Sequence, residues 1–118
     1  MVDKILKDWK VFIETLLIPT ITKCGEVLEG SIYSHHLDES ISYAENFLKK
    51  QENIINTTKY LKKDAKILEN GFNSGFSALL MLLSRPDIVL TCVDIGYHSY
   101  VRPCYDIIKS HFGDIELI

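Results

Sequence analysis

Lys66-Ile67-Leu68-Glu69-Asn70-Gly71-Phe72-Asn73-Ser74-Gly75-Phe76-Ser77 decides the fold. A short apolar run ends in a carboxylate, passes through two glycines set four apart, and opens into Ala78-Leu79-Leu80-Met81-Leu82-Leu83. That order predicts a strand over Lys66 to Leu68, a tight turn, and a helix over Phe76 to Ser84 that is apolar on nearly every side and must pack against a sheet. Further on, Pro86-Asp87 marks a turn, and Ile88 to Asp94 reads as a strand rich in β-branched residues that ends in an acid. A helix begins between Ser99 and Pro103, because proline suits a first helical turn, and Gly113 stops it before a last strand over Asp114 to Ile118. From Lys66 onward the pattern is β-α-β-α-β, which implies a three-stranded parallel sheet with right-handed crossovers.

Upstream, Val2, Ile5, Leu6, Trp9, Phe12, Ile13, Leu16 and Leu17 draw one stripe along a helix, which Pro19 is expected to end or kink. Ile21, Cys24, Val27 and Leu28 continue a weaker helical period to Gly30 and Ser31. Residues Ile32 to Glu39 read as a loop leading to a helix capped by Asp38 or Ser40. From Ile41 to about Lys62 the apolar positions suit one long helix, or two with a break near Asn56-Thr57-Thr58. The expected organisation is one compact domain, with a helical region over 1–65 and an α/β region over 66–118.

A chain of 118 residues with 47% hydrophobic and 25% charged residues has the composition of an ordinary globular domain. Its formal net charge of −3 argues against nucleic acid as the main partner. Lys59, Lys62, Lys63 and Lys66 cluster, which suits a helix end. Three cysteines without C-x-x-C spacing predict a reduced, cytoplasmic protein, and the apolar runs are too short for a membrane helix. His35 and His36 beside Asp38 and Glu39 lack the spacing of a metal site, so no metal is expected.

In open α/β sheets, ligands gather at the carboxyl ends of the strands, and both Glu69 and Asp94 fall at such ends. The two glycines permit a sharp turn and close approach of a ligand to the backbone. Asp94 follows Gly71 at about the separation, roughly 20 residues, at which an acid on the second strand reaches ribose hydroxyls. A phosphate loop needs Gly-Lys-Ser/Thr, and here Phe76-Ser77 follows Gly75; a dinucleotide fingerprint needs a third glycine. The wider turn suits a nucleoside carrying an amino-acid tail. The same residues also read as a plain turn joining strand to helix, with Asp94 a solvated strand end.

Glu69 to Ser77 resembles the E-x-G-x-x-x-G-x-S first motif of class I S-adenosylmethionine-dependent methyltransferases, in the form common among O-methyltransferases, and Val93-Asp94-Ile95-Gly96 resembles their second motif. The resemblance covers Lys66 to Ile118 and implies N-terminal helices followed by a partial Rossmann-like unit. It implies that Gly71 and Gly75, with Asn73 between them, shape the loop under the methionine part of the cofactor. Glu69 would hold the amino end, Ser77 the carboxylate and Asp94 the ribose hydroxyls, with Ile95 against the adenine. Asn70 departs from the family by setting an amide where an apolar residue is usual.

The family's fold has seven strands, and this chain reaches the third, so the resemblance implies the cofactor-binding half of a methyltransferase, truncated and not independently active. No residue stands out as a catalytic base. The alternative is an inactive relative that pairs through an exposed sheet edge, with a second copy or a complementing second half as partner. Of the remaining residues, His98 is the histidine nearest the turn. Tyr97, Tyr100 and Arg102 flank it, His111 reads as a surface residue, and Cys92 and Cys104 as packing residues.

Overall fold

The computed structural model describes all 118 residues, Met1–Ile118. Helix α1 (Val2–Phe12) runs without interruption into a π-helical segment (Ile13–Leu17) and then α2 (Ile18–Lys23). A 3₁₀ turn (Glu45–Phe47) leads into α3 (Leu48–Lys59). Strand β1 (Lys66–Asn70), α4 (Phe76–Ser84), β2 (Val89–Val93), α5 (Val101–His111) and β3 (Ile115–Leu117) complete the chain. The sheet is parallel with order β1-β2-β3, which is the mixed α/β arrangement expected. No helix is long and apolar enough to cross a membrane.

The alternation of side chains fixes which face of the sheet is covered. Ile67, Leu90 and Ile115 stand in one cross-strand row, Glu69, Cys92 and Leu117 in another, and these rows join the core with α1, α4 and α5. The intervening row, Leu68, Thr91 and Glu116, faces outward, and Leu68 is 70% exposed. Asn70 shares that open face and is exposed, so its amide has no burial penalty.

Pro19 does not end the first helix. It lacks an N–H, and its ring would meet the Thr15 carbonyl in a regular α-helix. The helix widens just before it, where the Ile18 N–H reaches five residues back to Ile13 O. Widening also keeps the core side chains in phase. Ile5, Trp9, Ile13, Leu17 and Ile21 recur every fourth residue and are all buried. In a uniform 3.6-residue helix that row would drift by about 40° at each step. The π turn takes up the drift. Leu16, expected in the buried stripe, lies at its exposed margin.

Three other expectations change. The segment through Leu28 is not helical beyond Lys23, because Gly25 at φ +75° ends α2. Asp38 caps a turn: its carboxylate accepts the N–H groups of Ser40 and Ser42. Residues 41–44 are extended or turned because Ile41 has φ +48° and the Ala44 N–H is held by Tyr33 O at 2.7 Å, so the helix starts only at Glu45. It then runs unbroken through Asn56-Thr57-Thr58. Strand β1 is longer than predicted and includes Glu69 and Asn70.

Candidate functional site

The loop between β1 and α4 has positive φ at Gly71 (+93°), Asn73 (+53°) and Gly75 (+84°), so the backbone reverses hand at alternate residues. Glycine removes the steric cost at two of these positions, and asparagine is among the few other residues that adopt that conformation readily. The loop is fixed at both ends. Gly71 N–H donates to Val93 O at 2.6 Å, extending the β1–β2 ladder, and Gly75 N–H donates to Phe72 O at 2.9 Å.

Asp94, the residue after β2, binds the loop. Its Oδ2 accepts the N–H groups of Phe72 at 2.9 Å and Asn73 at 2.8 Å, and its Oδ1 accepts that of Gly96 at 2.8 Å. Burial alone would raise this carboxyl, but the donors of Asn73, Gly96 and Phe72, with His98 nearby, outweigh it and hold it below the usual carboxylate range. Two successive N–H groups on one anionic oxygen are the arrangement by which such loops grip phosphate. Here the protein's own carboxylate takes that place.

Glu69 and Ser77 are also joined: Ser77 Oγ donates to Glu69 Oε2 at 2.5 Å. Glu69 lies on the covered face of the sheet, beside the Cys92 thiol at 3.6 Å. Burial raises its carboxyl above the usual value, and the hydrogen bonds from Ser77 and Cys92 oppose that rise. Burial, with the nearby Glu69 carboxylate, pushes the Cys92 thiol up, and burial pushes Cys104 up to about 12, so neither is a reactive thiolate at neutral pH.

Two cavities meet over the loop, and Gly71 and Asn73 line both. The larger, about 400 Å³, is bounded by Glu29, Asp94, Ile95, Tyr97 and His98. The smaller, about 160 Å³, includes Ser31, Ile32, Phe76 and Ser77. An alanine Cβ at Gly71 would meet no atom within 4 Å. Ile95 is 94% exposed and Tyr97 81%, so an apolar and an aromatic side chain stand uncovered beside Asp94.

Of the seven residues singled out by sequence, Gly71, Asn73, Asp94 and Ile95 line the larger cavity, and Ser77 the smaller. Glu69 and Gly75 line neither. Gly75 is a packing position, where an added Cβ would lie 2.4 Å from Phe72 Cζ.

The sequence reading missed the segment before Gly30. Asn73 donates to Gly30 O at 2.6 Å and accepts from Tyr100 Oη at 2.5 Å, so residues 26–30 form a wall of the site. Nothing local in the sequence marks Glu26 or Glu29 as neighbours of His98. A groove of about 600 Å³ between α1 and the start of α3 is lined by Asp3, Glu14 and Glu45 as well as Lys7 and Lys10, without a converging set of polar groups. No family model, curated protein or solved structure matches the chain.

Proposed function

We propose that this chain is a cofactor-binding unit of the class I methyltransferase type, holding S-adenosylmethionine or its demethylated product across the loop from Gly71 to Gly75. The observation that carries the reading is the open backbone at Gly71, which floors both cavities at the carboxyl end of a parallel sheet.

The donor set fits the nucleoside side of that ligand. Asp94 Oδ1 accepts a single N–H and keeps a lone pair for a ribose hydroxyl, and Ile95 and Tyr97 offer exposed apolar surface to a base. The fit is looser on the amino-acid side, where Glu69 and Ser77 satisfy each other. Of the other polar side chains along the smaller cavity, Asn73 is engaged by Gly30 O and Tyr100 Oη, and Ser31 Oγ accepts the N–H groups of Tyr33 and Ser34. Capture of a phosphate is disfavoured, because the converging N–H groups of Phe72 and Asn73 are already on Asp94. When bound, the cofactor supplies an electrophilic methyl group on sulfur. The chain's own residues bind and orient it, and none is proposed as a base.

Titration calorimetry with S-adenosylhomocysteine tests the reading. Binding is expected, and Ile95→Ala, at an exposed position outside the core, weakens it about tenfold, as loss of a buried aliphatic contact does. Absence of heat at millimolar ligand would refute cofactor recognition by this chain.

A second reading rests on the sheet. Strand β1 is an edge whose outer N–H and C=O groups have no partner strand, with Leu68 exposed beside it. Under that reading the chain is a methyltransferase-like interaction protein that pairs with a second copy through this edge.

A further inference from the structure

His98 lies in the loop between β2 and α5, with its ring stacked on Tyr100 at 5.0 Å between centroids and 6° between planes. Its two nitrogens face two different carboxylates: Nδ1 lies 3.0 Å from Glu26 Oε1 and Nε2 lies 3.1 Å from Glu29 Oε2. A neutral imidazole has one N–H, and an ionised carboxylate only accepts. Both contacts are therefore satisfied together only by the imidazolium.

The carboxylates differ in their other partners. Glu26 also accepts the backbone N–H and the hydroxyl of Ser99, which with His98 hold its carboxyl down at about 2. Glu29 has no second side-chain partner; its side chain is 57% exposed, and its backbone N–H donates weakly to Tyr100 Oη at 3.5 Å. The segment carrying both acids is bounded by Gly25 and Gly30, and Leu28 anchors it in the core. The other titratable groups facing His98 are Asp94 at the end of β2 and the flanking Tyr97 and Tyr100, while Arg102 lines the adjoining cavity.

We infer that Glu26, His98 and Glu29 form a proton-operated latch: doubly protonated His98 ties Glu29 into the wall of the groove beside Asp94, and loss of one proton frees Glu29 while Ser99 retains Glu26. The inference concerns regulation of the site read above as a cofactor site, and so rests on that reading for its consequence, though not for its mechanism. Hydrogen bonds to Glu26 and Glu29 raise His98 above the ordinary histidine value, against the opposing effect of its burial. The sign follows. The latch is fully closed below the ordinary histidine range, near 6.5, and is lost as pH rises through the raised value.

Nuclear magnetic resonance titration of the full chain tests it. The His98 ring nitrogens should both be protonated at pH 6, with a midpoint above the ordinary histidine value of about 6.5. Across that midpoint the Glu29 side-chain carboxyl signal should shift, and protection of its amide should fall at least tenfold. In Glu29→Gln the His98 midpoint should drop and the step in protection should vanish. A His98 midpoint at or below about 6.5, or one unmoved by Glu29→Gln, overturns the latch.

The ligand experiment separates the two claims. Dissociation of S-adenosylhomocysteine should quicken at least fivefold above the His98 midpoint in the parent chain and not in the variant. If no binding occurs at any pH while the titration and protection steps stand, the cofactor reading fails and the latch survives. Binding with no His98-linked step removes the latch alone.

Discussion

An alanine at Gly75 would carry its Cβ to 2.4 Å from Phe72 Cζ and 2.6 Å from Ile108 Cδ1, on a backbone at φ +84°. At Gly71 the same change, at φ +93°, meets nothing within 4 Å. Left-handed backbone costs a non-glycine residue about 1–2 kcal/mol, and overpacking a core about 1–3 kcal/mol more. Gly75→Ala is therefore expected to destabilise by about 2–5 kcal/mol in urea unfolding, and Gly71→Ala by about 1–2 kcal/mol. Ligand binding should show the opposite ranking: Gly71→Ala places a methyl group in the groove and should weaken S-adenosylhomocysteine by tenfold or more. The glycine spacing and the acid at the end of β2 were legible in the sequence, because both are local marks. The division of labour between the glycines was not, since Phe72 and Ile108 reach Gly75 only in the folded chain.

The first helix, with its continuation through the π turn, joins α3 in tying the N-terminal region to the α/β region, both packing against α4. Trp9, the single tryptophan, is fully buried, and its indole N–H donates to Phe76 O at 2.8 Å at the start of α4. Trp9→Phe removes that donor and part of a close-packed side chain, so a loss of about 2–3 kcal/mol is expected. Chemical denaturation followed by circular dichroism checks it. In the parent chain, tryptophan fluorescence should shift to the red in step with the loss of helix if the two regions unfold as one unit. The helix was legible from its apolar spacing, but its passage through Pro19 was not. Proline normally signals an end, and here the four-residue recurrence of the core row favours a widened turn over a stop.

At the scale of the whole molecule, the sheet is covered on one face and open on the other, which parallel sheets seldom tolerate in isolation. The exposed Leu68 and the free edge of β1 are the features from which self-association would follow. Sedimentation velocity at several hundred micromolar should show a dimer that Leu68→Lys converts to monomer, because lysine on an edge strand opposes further pairing. Stability of the variant should stay within about 0.5 kcal/mol, as Leu68 contributes little to the core. A monomeric parent chain at that concentration would remove the pairing reading.

By itself the sequence determined the order of strands and helices from Lys66 onward, the left-handed glycine turn and the acid that follows β2. Those features are written in apolar runs, in residues that tolerate positive φ, and in their spacing along a single chain. Only the tertiary structure decided that Asp94 holds the loop, that Glu69 pairs with Ser77, and that Glu26 and Glu29 close on His98. Each of those contacts joins residues from different elements, and which carboxylate meets which donor depends on where the packed helices bring the loops together.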